Sequence, residues 1–565
     1  MITLCIVSAF SEGQSMLSYD DFTEYHKDLL EGTYDCVDRI VLNGYFPLGQ
    51  QGGAFRVWWR RLTGSEETLN TNHLARMAGN FSRKVHAFAK KRHIPILHCE
   101  PGTRKGDLAE TYLPKDSSFR GLFLILVAKA PGLLWEVRPC KNGSPHLERK
   151  TPWPYVNHYH FHIVDKEWGH LTIKMSGHPP FNIQVMLNGH EWVERKARKK
   201  TISSVKEGNC FVGGSDFMAL DRVADTLRRK DAIGQLAKAC DRWVYSTCLS
   251  FALDTEEQKR SGFHYQYSCY QIEYSRNLLF ERGALLDQVY QGLIDRNRSL
   301  LNLDKIKTIF GWKKRPHNRA VAPRLERILE GPTYDLTVFK IHFGKLSLKM
   351  YDKGARVLRI EAIAHNVKEL RCGKRLEKLS DMLARLRQIV SDFLNALCAA
   401  HISYLDEGML DSLSQPTHRG TRRLAGIDLQ KARMRAVSEA LLALSAKPRG
   451  FSIKELAEKT GQLLKGISYT ARQASYDLTK FRGKNMLVSV ASSRFYRLSS
   501  FGTRLLAGII ILREKVIKPV LAGLCKKKVG RPPKNMQPMD TSYDTLRNEM
   551  LKLLGKLNLA AQNAY

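Results

Sequence analysis

The chain has no Cys-x-x-Cys pair among its eleven cysteines, and Cys240, Cys248 and Cys269, the closest together, are unequally spaced. A zinc-binding framework of ordinary spacing is excluded, and reduced thiols fit better than a disulfide scaffold. No apolar run reaches the roughly 18 residues of a membrane-spanning helix, and no basic amphipathic anchor stands out. The first residues, Met1 to Phe10, are apolar but lack a basic flank, so a cleaved signal is not expected. Gly52-Gly53 and Gly213-Gly214 lack the lysine and the strand-loop-helix setting of a nucleotide loop. No Ser-His-Asp arrangement is legible. Acidic residues are scarce, at 55 Asp plus Glu against 90 Lys plus Arg, which leaves a formal charge of +35. Such an excess is self-repelling and points to a polyanionic partner.

What is present is globular: 565 residues, 43% of them hydrophobic, enough for several domains. Residues 1–135 read as an α/β domain. Asp38 to Asn43 is strand-like, Asn72 to Arg92 is a basic helix with Leu74, Met77, Phe81, Val85 and Phe88 at helical spacing, and Ile94 to His98 and Gly121 to Ala128 are strands. Residues 131–154, rich in Pro and Gly, read as a linker. Residues 150–310 form a central α+β domain: a histidine-rich hairpin (Val156 to Val164, then Leu171 to Met175), a helix over 181–199, and mainly helices over 216–310. Residues 320–413 carry a three-strand meander and an amphipathic helix from Glu377 to Leu405. Residues 414–433 read as a linker, and Ser542 to Leu559, within a tail of 540–565, as an amphipathic helix that could pair protomers in a homodimer.

Residues 434–516 have the clearest functional pattern. A helix from Met434 is followed by a short one opened by Ser452 with Glu455 three residues on, a capping box. A polar, basic helix then spans Ser468 to Arg482, and two short strands surround Arg494. Helix, short helix, basic helix and β-ribbon resembles the MarR-like winged-helix superfamily. That resemblance implies a third helix in the major groove, with Arg472 and Gln473 reading bases, Tyr469, Tyr476, Lys480 and Arg482 beside them, and Arg494 on phosphate or in the minor groove. In residues 524–536, Gly530-Arg-Pro-Pro533 flanked by Lys526, Lys527, Lys528 and Lys534 resembles an AT-hook, with Arg531 in a narrow minor groove.

A second constellation lies upstream. His158, His160 and His162 alternate on a strand and so share a face. They resemble the His-hydrophobe-His motif of rolling-circle replication initiators, relaxases and Y-transposases. That resemblance implies a divalent metal, Mg²⁺ or Mn²⁺, with Glu361 as a further ligand, and Tyr270 and Tyr274 on one helix face as nucleophiles of a DNA-nicking enzyme. Segments such as Val156-Asn-His-Tyr, Leu187-Asn-Gly-His-Glu-Trp192, Tyr351-Asp-Lys-Gly354 and Gly373-Lys-Arg-Leu376 are similar to a group of bacterial proteins that also end in a winged helix and carry no assigned activity. The expectation is an α/β (α+β) multidomain body with a C-terminal winged helix-turn-helix, cytoplasmic and nucleoid-associated, without a membrane partner. It would bind double-stranded DNA in a regulatory or mobile-element role. The alternatives are the metal-dependent nickase and an RNA-binding protein.

Overall fold

The computed structural model describes residues 20–65, 69–140, 143–287, 289, 337–343, 345–401, 413–419, 422–445, 447, 450–464, 468–490, 493–513 and 538–556. The chain divides into two compact units. One takes in residues 29–291 and 316–390, the other residues 1–28, 292–315 and 391–565. The first is built on a single ten-stranded sheet. Its strands are β1 (Leu30–Tyr45), β2 (Ile96–His98), β3 (Gly121–Pro131), β4 (Tyr155–Asp165), β5 (Gly169–Ser176), β6 (Ile183–Leu187), β7 (Gln266–Phe280), β8 (Thr337–Phe343), β9 (Leu346–Lys353) and β10 (Val357–Ala364). They lie in the order β8-β9-β10-β7-β1-β6-β5-β4-β3-β2, antiparallel throughout except for the β2–β3 pair.

This sheet corrects the expected division. Segments 1–135, 150–310 and 320–413 all contribute strands to it, so they are not separate domains. The join is the long pairing of β1 with β7, from Leu30↔Phe280 to Tyr45↔Gln266. The helix expected over 181–199 is a strand, β6, followed by a helix at Gly189–Lys199, because Ile183, Val185 and Leu187 are buried alternately and Asn188 caps the helix through the His190 N–H. Residues 131–154 are no simple linker, since Trp135–Cys140 pairs with Gly143–Arg149. The helical expectation for 216–310 holds for Phe217–Asp225, Lys230–Trp243 and Thr255–Ser261. It fails at β7, where seven consecutive residues from Tyr274 to Phe280 are buried, the mark of a strand covered on both faces.

Over β4–β6 the sheet has two unlike faces. Tyr159, Phe161 and Ile163 of β4, Ile173 and Met175 of β5, and Ile183 and Val185 of β6 are buried on one. The helix Thr71–Arg92 packs there, presenting Leu74, Phe81, Val85 and Ala89. Phe81 meets Tyr159 edge-on at 5.1 Å, and the Tyr159 hydroxyl donates to Ser82 Oγ at 3.0 Å. The other face is polar.

In the second unit, helices Ala432–Ser445, Ile453–Leu463, Ala471–Gly483 and Ser500–Ile511 surround a hairpin of Leu487–Ser489 and Tyr496–Leu498. Phe451 adds a bridge to Tyr496, with N–H···O bonds of 2.9 Å in both directions. Val437, Leu441, Phe451, Leu456, Leu478, Phe481 and Leu506 form one apolar cluster. The expected linker at 414–433 contains a small hairpin, Thr417–Arg419 with Arg422–Leu424, not a bare connection. Pro538–Lys556 is helical, as expected of the tail. Residues 524–536, with the AT-hook-like segment, lie outside the described residues. No described helix is long and apolar enough to cross a membrane.

The closest backbone approach in the sheet unit is at Gly189, where an added Cβ would lie 2.0 Å from the Val37 carbonyl oxygen of β1. Neither partner can move away without shifting the middle strand of the sheet. Gly189→Ala is therefore expected to destabilise the sheet unit by roughly 1–3 kcal/mol. Gly234→Ala, in a helix with open space around the position, should be neutral or stabilising by up to about 1 kcal/mol. Thermal unfolding of both variants followed by near-UV circular dichroism checks the contrast; equal midpoints would refute the close-packing argument.

Candidate functional sites

The three histidines of β4 do share a face. They form part of a polar field that crosses the sheet in register. His160 pairs across to Lys174, Lys174 to Gln184, Gln184 to Asn43, and Asn43 to Ser268. The row beside it runs His162, Thr172, Met186, Val41 and Gln271. His162 Nδ1 lies 3.0 Å from His170 Nε2 and 3.1 Å from Thr172 Oγ1. Phe123 packs over this pair, its ring centroid 5.4 Å from His170 and 6.2 Å from His162. Burial pushes His158 down to about 4, with Lys174 adding to the shift. Burial first, then Lys174 and Lys105, pushes His160 to about 3, and burial with His170 does the same to His162. The imidazoles are thus neutral at neutral pH.

The metal set expected from the sequence is not brought together. Alternate positions on a strand stand roughly 6.7 Å apart, within reach of a shared ion for two histidines, but the outer two of the three stand roughly 13 Å apart, too far for all three to converge on one ion with bonds of about 2 Å. Glu361 belongs to β10, with β7, β1, β6 and β5 between it and β4, a separation of roughly 24 Å at about 4.8 Å per strand. It pairs instead with Lys349 at 3.4 Å. Among the described residues no group of three or more His, Cys, Asp or Glu could hold a metal ion.

Tyr270 and Tyr274 are likewise placed on a strand and not on a helix. Tyr270 falls at an irregularity between the pairs Val41↔Gln271 and Leu42↔Cys269 and is 40% exposed. Tyr274 is buried, and its hydroxyl donates to Asp35 Oδ2 at 2.9 Å. Burial, reinforced by Asp35, raises that phenol well above its ordinary value, the reverse of what a nucleophile needs.

Tyr274 leads instead to a buried charge network that the sequence reading missed. Asp35 accepts from Arg276 Nε at 2.7 Å and Nη2 at 2.8 Å, a two-point clamp, and Arg387 Nε lies 3.3 Å away. The Asp35 N–H donates to Asp221 at 2.7 Å. Burial would raise the Asp35 carboxyl, but Arg276 and Arg387 hold it below its ordinary value. Three residues on, Asp38 contacts Arg359, accepts from Ser275 Oγ at 3.0 Å and lies 3.2 Å from His190 Nδ1. Burial raises the Asp38 carboxyl, with Arg359 opposing the shift. The only sequence signal was charge interrupting apolar strands at Asp35, Asp38, Arg276 and Arg359; the pairs Asp35–Arg276 and Asp38–Arg359 stand more than 200 residues apart along the chain.

In the second unit, Thr470 Oγ1 accepts the Gln473 N–H at 3.3 Å, while the Gln473 side-chain oxygen accepts the Thr470 N–H at 2.8 Å. The Gln473 side-chain oxygen is therefore engaged in capping its own helix, which leaves its Nε2 as a donor. Tyr469 is also engaged: its hydroxyl donates to Oδ2 of buried Asp477 at 2.8 Å, and Arg433 Nε donates to the same oxygen at 2.8 Å. Arg472, Tyr476 and Arg494 remain exposed, and Lys480 is half-exposed with its ammonium 4.8 Å from the Tyr476 ring centre. The Arg482 guanidinium stands 5.3 Å from the centre of the Tyr496 ring of the hairpin. Lys526, Lys527, Lys528, Arg531 and Lys534 lie outside the described residues.

Comparison with protein-family models, with curated proteins and with solved structures finds no match to this chain.

The histidine field has a measurable pH consequence. The unfolded chain takes up protons near an ordinary imidazole value of 6.5, whereas His158, His160 and His162 in the folded chain do not until about 4 to 3. Their contribution to stability is complete above about 6.5 and is lost as the pH falls from there toward 4. The Asp221 carboxyl, raised to about 7 mainly by burial, works in the opposite direction over part of this window, but a histidine substitution leaves it in place. His162→Gln should therefore shrink the difference in urea midpoint between pH 7.5 and pH 5. An unchanged difference would show that His162 is not held neutral by the fold.

Proposed function

We propose that the helical unit is a winged helix that docks duplex DNA, and that the large sheet unit belongs to a DNA-binding protein of regulatory or mobile-element type. The observation that carries this reading is the helix Ala471–Gly483. Its inward residues Ala474, Asp477, Leu478 and Phe481 are buried, while Arg472, Ser475, Tyr476, Thr479 and Lys480 fall on the outward side. Its one carboxylate, Asp477, is spent internally on Arg433 and Tyr469, so nothing on the outward side repels phosphate. A helix of this width with exposed Arg, Tyr and Lys suits a major groove, and a β-hairpin with exposed Arg494 suits the flanking backbone. Arg472 is the base reader in this reading. Lys480, Arg482 and Arg494 neutralise phosphates.

The histidines, Glu361 and the tyrosines do not support metal-dependent nicking, because the fold holds them on different strands and commits Tyr274 and Glu361 to other partners.

The test is binding of the full chain to a selected pool of duplexes, read by fluorescence anisotropy across a salt series. Affinity should fall steeply with salt, and removing one phosphate contact in Lys480→Ala should reduce the log–log slope by about 0.9. Arg472→Ala should cost roughly 1–3 kcal/mol on selected sites and much less on random duplex. Salt-insensitive binding, or equal losses on both kinds of duplex, would defeat the assignment.

A further inference from the structure

The polar face of the sheet opens into a cavity of about 440 Å³, which lies wholly within the sheet unit. Its floor is the in-register row already described: Lys174, Gln184, Asn43 and Ser268 come from four successive strands, β5, β6, β1 and β7. The volume is in the range of small-ligand sites, roughly 300–1,000 Å³.

The chemistry of the lining is one-sided. Lys174 and Lys374 line it, with His158 and His178, and no Asp or Glu does. Lys174 is half-buried, and no described carboxylate lies within ion-pair distance of it. Burial, and secondarily Lys105, lowers its ammonium below the ordinary value. A cation withdrawn from water without a counter-ion is unfavourable, and an anion entering the cavity would relieve that cost. The amides are arranged in a second pattern. Gln184 Nε2 donates to Asn43 Oδ1 at 2.9 Å, which orients both planes and leaves Gln184 Oε1 as an acceptor beside the Asn43 Nδ2 donor. A free amide acceptor and a free amide donor on neighbouring side chains are the groups that the hydrogen-bonding edge of a base requires. Trp153, 54% exposed, is also part of the lining; a large exposed indole suits a stacked ring.

We propose that this cavity binds one nucleotide unit, its phosphate held by Lys174 and Lys374, its base stacked on Trp153 and met edge-on by the Asn43–Gln184 amide pair. The site is independent of the duplex-docking helix, since it uses different residues in the other unit. The nucleotide can be free or one member of a single strand.

The test uses the purified full chain, with adenosine monophosphate followed by calorimetry and fluorescein-labelled (dT)8 followed by anisotropy. Saturable binding of either probe is expected, weakened about tenfold or more by Lys174→Met and by Trp153→Ala, restored in part by Lys174→Arg and Trp153→Phe, and unaffected by Arg472→Ala. Comparable affinity for the two probes supports a free nucleotide, and (dT)8 binding at least tenfold tighter supports a strand. The proposal is overturned by no saturable binding of either probe, by inorganic phosphate competing as well as the nucleotide, or by loss of binding in Arg472→Ala but not in Lys174→Met. Thermal unfolding of Lys174→Met separates lost affinity from lost fold. Because Arg472→Ala tests the duplex reading and Lys174→Met this one, either can fail alone.

Discussion

The pairing of Leu30–Tyr45 with Gln266–Phe280 is the contact on which the sheet unit depends. The meander β8–β9–β10 reaches the rest of the sheet only through β7, and β2 to β6 reach it only through β1. Without the β1–β7 pairing there would be two smaller sheets, each with an exposed edge. The pairing closes a loop of more than 200 residues, although loop entropy grows only logarithmically with length. What makes it specific is charge. Asp35 stands directly opposite Arg276, and Ser275, opposite Cys36, reaches Asp38. A slip of one residue would turn Arg276 to the other face and leave two buried charges unpaired. Apolar pairing alone would tolerate such a slip far better. The ionic pairs are thus better understood as fixing register than as adding net stability, because desolvation consumes most of their attraction.

The legibility of the sequence followed the range of the interactions. The basic helix over Thr71–Arg92 could be read because Leu74, Phe81, Val85 and Ala89 recur at helical spacing and its polar side is solvated. The meander was legible for the same local reason, as were the short helix opened by Ser452 and Glu455 and the hairpin around Arg494. β7 was not legible. Its first half alternates weakly, its second half is buried on both faces, and a run such as Ser-Arg-Asn-Leu-Leu-Phe has no period to separate strand from helix. A helical reading of this segment puts Tyr270 and Tyr274 on one face and hides the joining of three segments into one sheet. Of the candidate sites, the outward residues of helix Ala471–Gly483 could be named from sequence. The commitment of Gln473 to Thr470, and of Tyr469 to Asp477, could not, because capping and third-party contacts depend on the exact start of the helix and on Arg433 arriving from another one.

The histidine run shows how a shared face differs from a shared site. Period-2 alternation put His158, His160 and His162 on one side of β4, and the structure keeps them there. A strand, however, spaces its side chains along a line, so it brings at most two neighbours to one ion and the remaining ligands have to come from other strands. Here the neighbours supply Lys174, Thr172 and Ser176 on one side, and Leu124 and Leu126 on the other. A cation and hydroxyls beside neutral imidazoles are a poor cradle for a divalent metal and a good one for an anion with hydrogen-bonding edges. Of the three, only His158 lines the cavity on this face, together with Lys174 and Ser176.

The charge excess can be traced the same way. Where the fold buries charge it mostly balances it, as in Asp35 with Arg276 and Arg387, and Asp477 with Arg433. The surplus of basic residues must then lie mainly outside such pairs. Arg76, Arg83, Lys84, Lys90, Lys91 and Arg92 are exposed along one helix of the sheet unit, and Arg472 and Arg494 on the helical unit. Exposed cations in water cost little and bind polyanions through counterion release, whereas Lys174 is half-buried and unmatched. The two situations ask for different ligands: a long, solvated polyanion for the surface cations, and a compact anion that can leave water for Lys174. A single extended phosphate backbone meets the first demand but not the second, unless one of its nucleotides is turned into the sheet.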